Sequence, residues 1–438
     1  MTAGSSGRQG PAGQKGRATL AVATMCLVLA ACGGRPENVL LPVSATAPGA
    51  SPVRILVATS REGVPDRPGQ LFTGERSDQV EYADITVSIP PDASRKLGEV
   101  QWPSRTPGDP ARDFVVTSAT VEDRAGAEKT LNAILPQEKP RQVLLFVHGY
   151  NTSFDAALFR FAQIAHDSRA PAAPVLFTWP SRGRLLAYNY DRESVTFSRD
   201  ALEQSINMLV KDRNVGEINL MAHSMGSWLM METLRQMAIR NGRLPKKIAT
   251  VILASPDIDI DVFRKQVADI PGPRPDFIVF VSQNDKALAI SSTIAGNVSR
   301  LGAINPAAEP YRSQLEKEGI TVIDLTGLET SDSLNHAKFA ASPEVVRAIG
   351  TRLAAGDSIT QSDASLGERI GLVTAGAAST VGKTAGLLIS APISVVDGRT
   401  RSSLGDQAES VSTSVRETVR DTGSTVAATP GLLIGNEP

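Results

Sequence analysis

A mostly parallel, doubly wound α/β sheet is the fold class this sequence predicts, and three observations predict it. From Arg141 onward, short apolar runs ("QVLLFVH", "PVLFTW", "EINLMAH", "KIATVILAS", "DFIVFVS", "ITVIDLT") alternate with loops and helical stretches. The runs are apolar throughout rather than every second residue, as in strands covered on both faces. Composition agrees with a globular chain, since 41% of the 438 residues are hydrophobic and 21% charged.

The elements follow in chain order. Arg8, Lys15 and Arg17 precede an apolar stretch from Ala18 to Ala30, too short for a permanent membrane span and suited to a cleaved signal peptide. It ends in "LAAC", which resembles the bacterial lipobox, where Cys32 would be lipidated and begin the mature chain. A plain signal peptide with an incidental cysteine is the alternative. Gly33 after the cysteine, by resemblance to such lipoproteins, favours an outer-membrane lipoprotein of the cell envelope facing the periplasm. The expected organisation is a signal peptide over 1–31, a flexible tether over 32–51, a folded domain over 52–355 and a low-complexity tail over 356–438. "VRILVAT", "ADITVSI" and "DFVVTSA" open the domain as β-rich segments between Gly, Pro and Asp clusters.

Helical spacing then places Ala157, Phe161 and Ile164 on one side of "SFDAALFRFAQIAHDSR", and Leu202, Ile206 and Leu209 on one side of "VTFSRDALEQSINMLVKD". "MGSWLMMETLRQMAIR" and "PEVVRAIGTRLAAG" complete the helices. Past Gly356 there is no Phe, Tyr or Trp, and small residues bury little area, so a disordered tail with transient amphipathic helices is expected. "TAGLLI" at 384–389 is loosely echoed by "TPGLLI" at 429–434.

Several functions are excluded by what the chain lacks. A net charge of -1 gives no clustered basic surface for nucleic acid. Its two cysteines, Cys26 and Cys32, both lie near the N-terminus, which leaves no disulfide framework and no cysteine zinc site downstream. His148, His166, His223 and His336 are far apart in sequence and no H-E-x-x-H occurs, so no metal site is expected.

The chemistry centres on "NLMAHSMGSW". A strand running straight into "SMG" and a helix is the context in which a G-x-S-x-G elbow holds a nucleophile on a sharp turn. Ala222 stands where the first glycine would be, and Gly226 is kept. Ser224 could also be an ordinary helix cap. "LLFVHGYN" is a buried strand ending in His-Gly, like a loop that supplies an oxyanion hole. The backbone N–H groups of Tyr150 and Met225 are the expected donors, and His148 reads as ordering the loop.

Downstream of Ser224 the one histidine is His336, in a loop between the last strand and last helix, where a general base belongs. Asp285, just past a buried strand, is the favoured acid. Asp257, Asp259 and Asp261 follow the preceding strand and remain alternatives.

These residues carry a resemblance. "FTWPSRGRLLAYNYDRESVTFSRDAL", through Trp179, Pro180, Ser181, Gly183, Tyr188, Asp191 and Ser198, is similar to a bacterial α/β-hydrolase family of unknown function, broadly esterase- and lipase-like. "LFVHGYN", "MAHSMGS", "ASPDIDIDVF", "VSQNDKAL" and "NHAKFA" fall in that family's order, as do the early "ILVATSRE", "FTGERS" and "VSIPP". The likeness covers about residues 52 to 354. It implies an α/β-hydrolase fold with Ser224, Asp285 and His336 as triad, and names neither substrate nor cofactor. The expected activity is hydrolysis of carboxylic esters, small or lipid, with the membrane reached through the lipid anchor. An acyltransferase on the same triad and a non-catalytic envelope scaffold are the alternatives. Trp179 is a candidate wall of an acyl pocket, while Tyr188 to Asp191 reads as packing beneath a helix.

Overall fold

The computed structural model describes residues 37–67 and 69–355. The signal segment, Cys32 and the tail from Gly356 lie outside the described residues. One sheet of nine strands organises the rest, in the order β3-β2-β1-β5-β4-β6-β7-β8-β9. The strands are β1 Ser51–Gly63, β2 Phe72–Ile89, β3 Val115–Glu122, β4 Gln142–Val147, β5 Ala172–Thr178, β6 Glu217–His223, β7 Ile248–Ala254, β8 Asp276–Val281 and β9 Thr321–Asp324. From β1 across to β9 every neighbour is parallel, and β2 and β3 add an antiparallel edge.

The continuous apolar runs now have their reason. Along β4, Val143, Leu145 and Val147 enter one core while Leu144 and Phe146 enter the other, so a strand buried on both sides has no place for a polar alternation. On one face lie α1 Arg124–Ile134, α4 Arg199–Lys211 and α5 Met225–Asn241; on the other, α2 Phe154–Ser168 packs beside α9 Pro343–Ala355. Helix α5 passes close to the sheet because Gly226 carries no side chain. A methyl group there would come 2.2 Å from the His148 carbonyl oxygen.

Three expectations change. Part of the tether is not free, since Val39 and Leu40 are buried in the core and the Val43 N–H donates to the Val116 carbonyl. The helix expected from Val195 is broken at Ser198, between α3 Tyr188–Phe197 and α4, and Tyr188 to Asp191 form the first turn of α3. Ser198 Oγ donates to the Ser194 carbonyl at 2.7 Å, a local bond that competes with helix continuation. Helices α1, α6 Ile260–Ala268, α7 Lys286–Ile294 and α8 Tyr311–Lys317 were not marked by apolar spacing. The first three each begin at an Asp whose carboxylate accepts from backbone N–H groups of the first turn: Asp123, Asp259 and Asp285.

Candidate active site

Ser224 sits where β6 ends and α5 begins, at φ 54° and ψ -125°, in the left-handed region that a serine rarely occupies. The turn is pinned from both sides. The Ser224 N–H donates to the Ala254 carbonyl of β7, and the Ser224 carbonyl accepts from Ser227 and Asp257 N–H groups. Its side chain makes no capping hydrogen bond to the helix, which separates it from the helix-cap alternative. Ala222 is fully buried, so the extra methyl group of the altered motif is accommodated.

The His148–Tyr150 loop runs alongside. A methyl group on Gly149 would meet Ser224 Cβ at 2.8 Å and His223 Nδ1 at 3.0 Å, so only glycine lets the two turns lie this close. No protein acceptor among the described residues engages the Tyr150 or Met225 N–H, the two expected oxyanion donors. His148 holds the loop as expected. Its Nδ1 bonds the Gly149 carbonyl at 2.9 Å, its Nε2 accepts from the Trp179 N–H at 3.2 Å, and burial with the nearby Arg61 charge lowers its pKa to about 3.

Trp179 departs from expectation. Its indole is wholly buried, stacks on His148 and donates from Nε1 to the His148 carbonyl at 2.9 Å. Its surface therefore supports the loop and opens on no acyl pocket.

Beneath the loop lie two buried charges, Arg61 and Asp191. The Arg61 guanidinium donates to the Thr73, Thr152 and Ser181 carbonyls and to Thr178 Oγ1, and burial brings its pKa down to about 10. Asp191 accepts from Ser181 Oγ at 2.5 Å and from the Arg182 and Asn151 N–H groups, while burial pushes its carboxyl up. Ser181 and Asp191 are the polar side chains of "WPSRGRLLAYNYD" that this network uses. They lock the loop that carries Tyr150 to the strand end that carries Trp179.

His336 and Asp285 come together from 51 positions apart, with Nδ1 to Oδ2 at 2.7 Å. The other carboxylate oxygen, Oδ1, accepts from the Leu288 N–H at 2.9 Å, so the N-cap bond of α7 orients the acid. With Nδ1–H donating to Asp285, Nε2 is left as the basic nitrogen.

Two further residues shape this corner. Asp332 receives the N–H groups of Leu334, His336 and Ala337. Lys338, almost fully buried, donates to Asn284 Oδ1 and to the Leu325 and Thr326 carbonyls. The alternative acids are occupied elsewhere: Asp257 by Ser291 and Arg300, Asp259 by the α6 N-terminus, Asp261 by Arg264.

The histidines, distant in sequence, are not all distant in space. The His223 ring lies 4.7 Å from the His336 ring, and its Nε2 is 3.2 Å from the His336 carbonyl. Burial and His336 hold His223 well below the ordinary histidine range. Asp92, His166 and Asp167 form a cluster of metal-ligand spacing, but the Arg95 guanidinium already pairs with both carboxylates.

A mostly parallel sheet with a buried strand-to-helix turn at its carboxyl edge, and a histidine–aspartate pair on later loops of that edge, has the architecture of an α/β hydrolase. The chain belongs to the family described as alpha/beta hydrolase of unknown function (DUF900), which matches residues 123–352. The uncharacterized protein alr1448 of Nostoc sp. (strain PCC 7120) is 30% identical over 135 residues, 25% of this chain and 35% of that protein, so the match spans about a third of that relative's length. Among solved structures, a putative cell surface hydrolase from Lactobacillus plantarum is 11% identical over 52% of this chain and 97% of its own, with a TM-score of 0.33. An esterase from Pyrobaculum calidifontis is 11% identical over 63% and 81%, with a TM-score of 0.31.

Proposed function

We propose that the protein is a serine hydrolase of carboxylic esters working through an acyl-enzyme on Ser224. The observation that carries this reading is the 2.7 Å Asp285–His336 pair on the same sheet edge as a serine held at positive φ. His336 Nε2 takes the proton of Ser224 Oγ as the oxygen attacks the ester carbonyl. The tetrahedral oxyanion is met by the Tyr150 and Met225 N–H groups. Collapse breaks the bond to the alcohol oxygen, which receives the proton from His336. Water then repeats the sequence and frees the acid. Asp285 keeps the imidazole in the required tautomer and stabilises its cationic form.

Treatment with a fluorophosphonate is expected to label Ser224 alone. In an aryl-ester assay, Ser224→Ala and His336→Ala are each expected to lower kcat on the order of 10³-fold or more, the double variant little further, because the groups act as one device. Asp285→Asn should also be severely impaired and Asp259→Asn near wild type. A protein that neither labels nor turns over any ester would leave the non-catalytic scaffold as the reading.

A further inference from the structure

Ten large apolar side chains are exposed among the described residues, and five of them border the candidate site: Leu185, Leu186, Ile290, Ile294 and Leu334. Leu185 and Leu186 stand in the turn that enters α3, 74% and 101% exposed. A side chain as open as Leu186 lines no hollow; it projects. Ile290 and Ile294 lie one turn apart on α7, the helix that begins at Asp285. Leu334 precedes His336 by two residues, and its carbonyl accepts from the Lys286 N–H at 2.9 Å.

The two segments meet over the site. The Tyr150 hydroxyl donates to the Leu185 carbonyl, and the Tyr188 hydroxyl lies 3.4 Å from Ser291 Oγ of α7. Exposed cations accompany the apolar groups: Arg184 beside the leucines, Arg192 on α3, Lys286 on α7. Glu193 is the exposed acid of α3, the loop that carries Leu334 adds the exposed Glu329 and the half-buried Asp332, and Asp191, Asp257 and Asp285 are buried beneath the face.

We propose that this face docks on an anionic phospholipid bilayer. A protein groove would need a complementary partner for each projecting leucine, but a bilayer accepts a convex apolar tip of any shape and gathers cations at its headgroups. Docking would bring the mouth of the Ser224 site to the membrane surface, so the ester class it serves is acyl lipid. That last step rests on the hydrolase reading; the docking does not.

The test uses the full chain carrying Cys32→Ser, so that no lipid on that residue contributes, with sedimentation on phosphatidylglycerol vesicles and phosphatidylcholine vesicles for comparison. Partition is expected to favour phosphatidylglycerol and to fall about tenfold or more in Leu185→Ser/Leu186→Ser, with turnover of a soluble aryl acetate unchanged. Leu186→Trp is expected to add fluorescence that brominated lipid quenches. Equal partition of the parent and the serine variant, or an unquenched tryptophan, overturns the docking, and equal binding to both vesicle types overturns its anionic preference. Binding is read on Ser224→Ala as well. Aryl acetate turnover that survives that substitution defeats the hydrolase reading while the vesicle result stands on its own.

Discussion

At the scale of single residues, two glycines separate activity from stability. Gly149 faces Ser224 and His223, and a methyl group there must displace one of them. Gly226 faces the His148 and Val147 carbonyls, which belong to a buried strand end that cannot yield. Gly149→Ala is expected to lower kcat about 10-fold to 100-fold with little change in unfolding midpoint, because a small misplacement of the reacting group is expensive. Gly226→Ala is expected to cost about 1–3 kcal/mol of stability by overpacking. Paired urea unfolding and ester kinetics check this, and a Gly149→Ala enzyme with full turnover would show that the loop does not constrain Ser224. Much of this corner was readable in advance. Ser224, Gly226, His148, Asp285 and His336 announce themselves through short local patterns next to strand ends. Arg61 and Lys338 do not, because nothing near them in sequence says that distant loops will close around their charges, and Asp332 does not, because an aspartate that takes N–H groups of its own loop has no pattern to mark it.

At the scale of elements, the strands were legible and several helices were not. A strand buried on both faces needs only a run of apolar residues. Helices α1, α6 and α7 instead start from a single Asp cap and carry mixed faces, so their signal is one side chain. One such start positions the acid itself, since Asp285 caps α7 with one oxygen and holds His336 with the other. Lys338 ties the turn after β8 to the end of β9 through Asn284, Leu325 and Thr326. Lys338→Met keeps the stem volume but strands those buried acceptors. The expected loss is about 2–4 kcal/mol in urea unfolding, larger than the roughly 0.5 kcal/mol of an exposed lysine change. A Lys338→Met protein as stable as the parent would mean that water satisfies those acceptors.

At the scale of the whole molecule, two buried neutral histidines make stability depend on pH. His148 has its pKa lowered to about 3 by burial and the Arg61 charge, and His223 is held well below 6.5 by burial and His336. In the unfolded chain both take up protons near pH 6.5, while in the folded chain both stay neutral far below it. The unfolded state therefore binds more protons as pH falls, so their contribution is fully present above about pH 6.5 and is lost progressively below it. With two such groups the slope approaches about 2.7 kcal/mol per pH unit by pH 5, before carboxylates join in. Urea unfolding at pH 7.5, 6.5 and 5.5 should show the loss growing across that range. His148→Gln removes one proton-binding site from the unfolded chain and is expected to halve the slope, even though it lowers stability at neutral pH by disturbing the Trp179 and Gly149 hydrogen bonds. A variant less stable at every pH but with the parent's slope would show that His148 already takes up its proton in the folded protein, and that the buried Arg61 beside it does not keep it neutral.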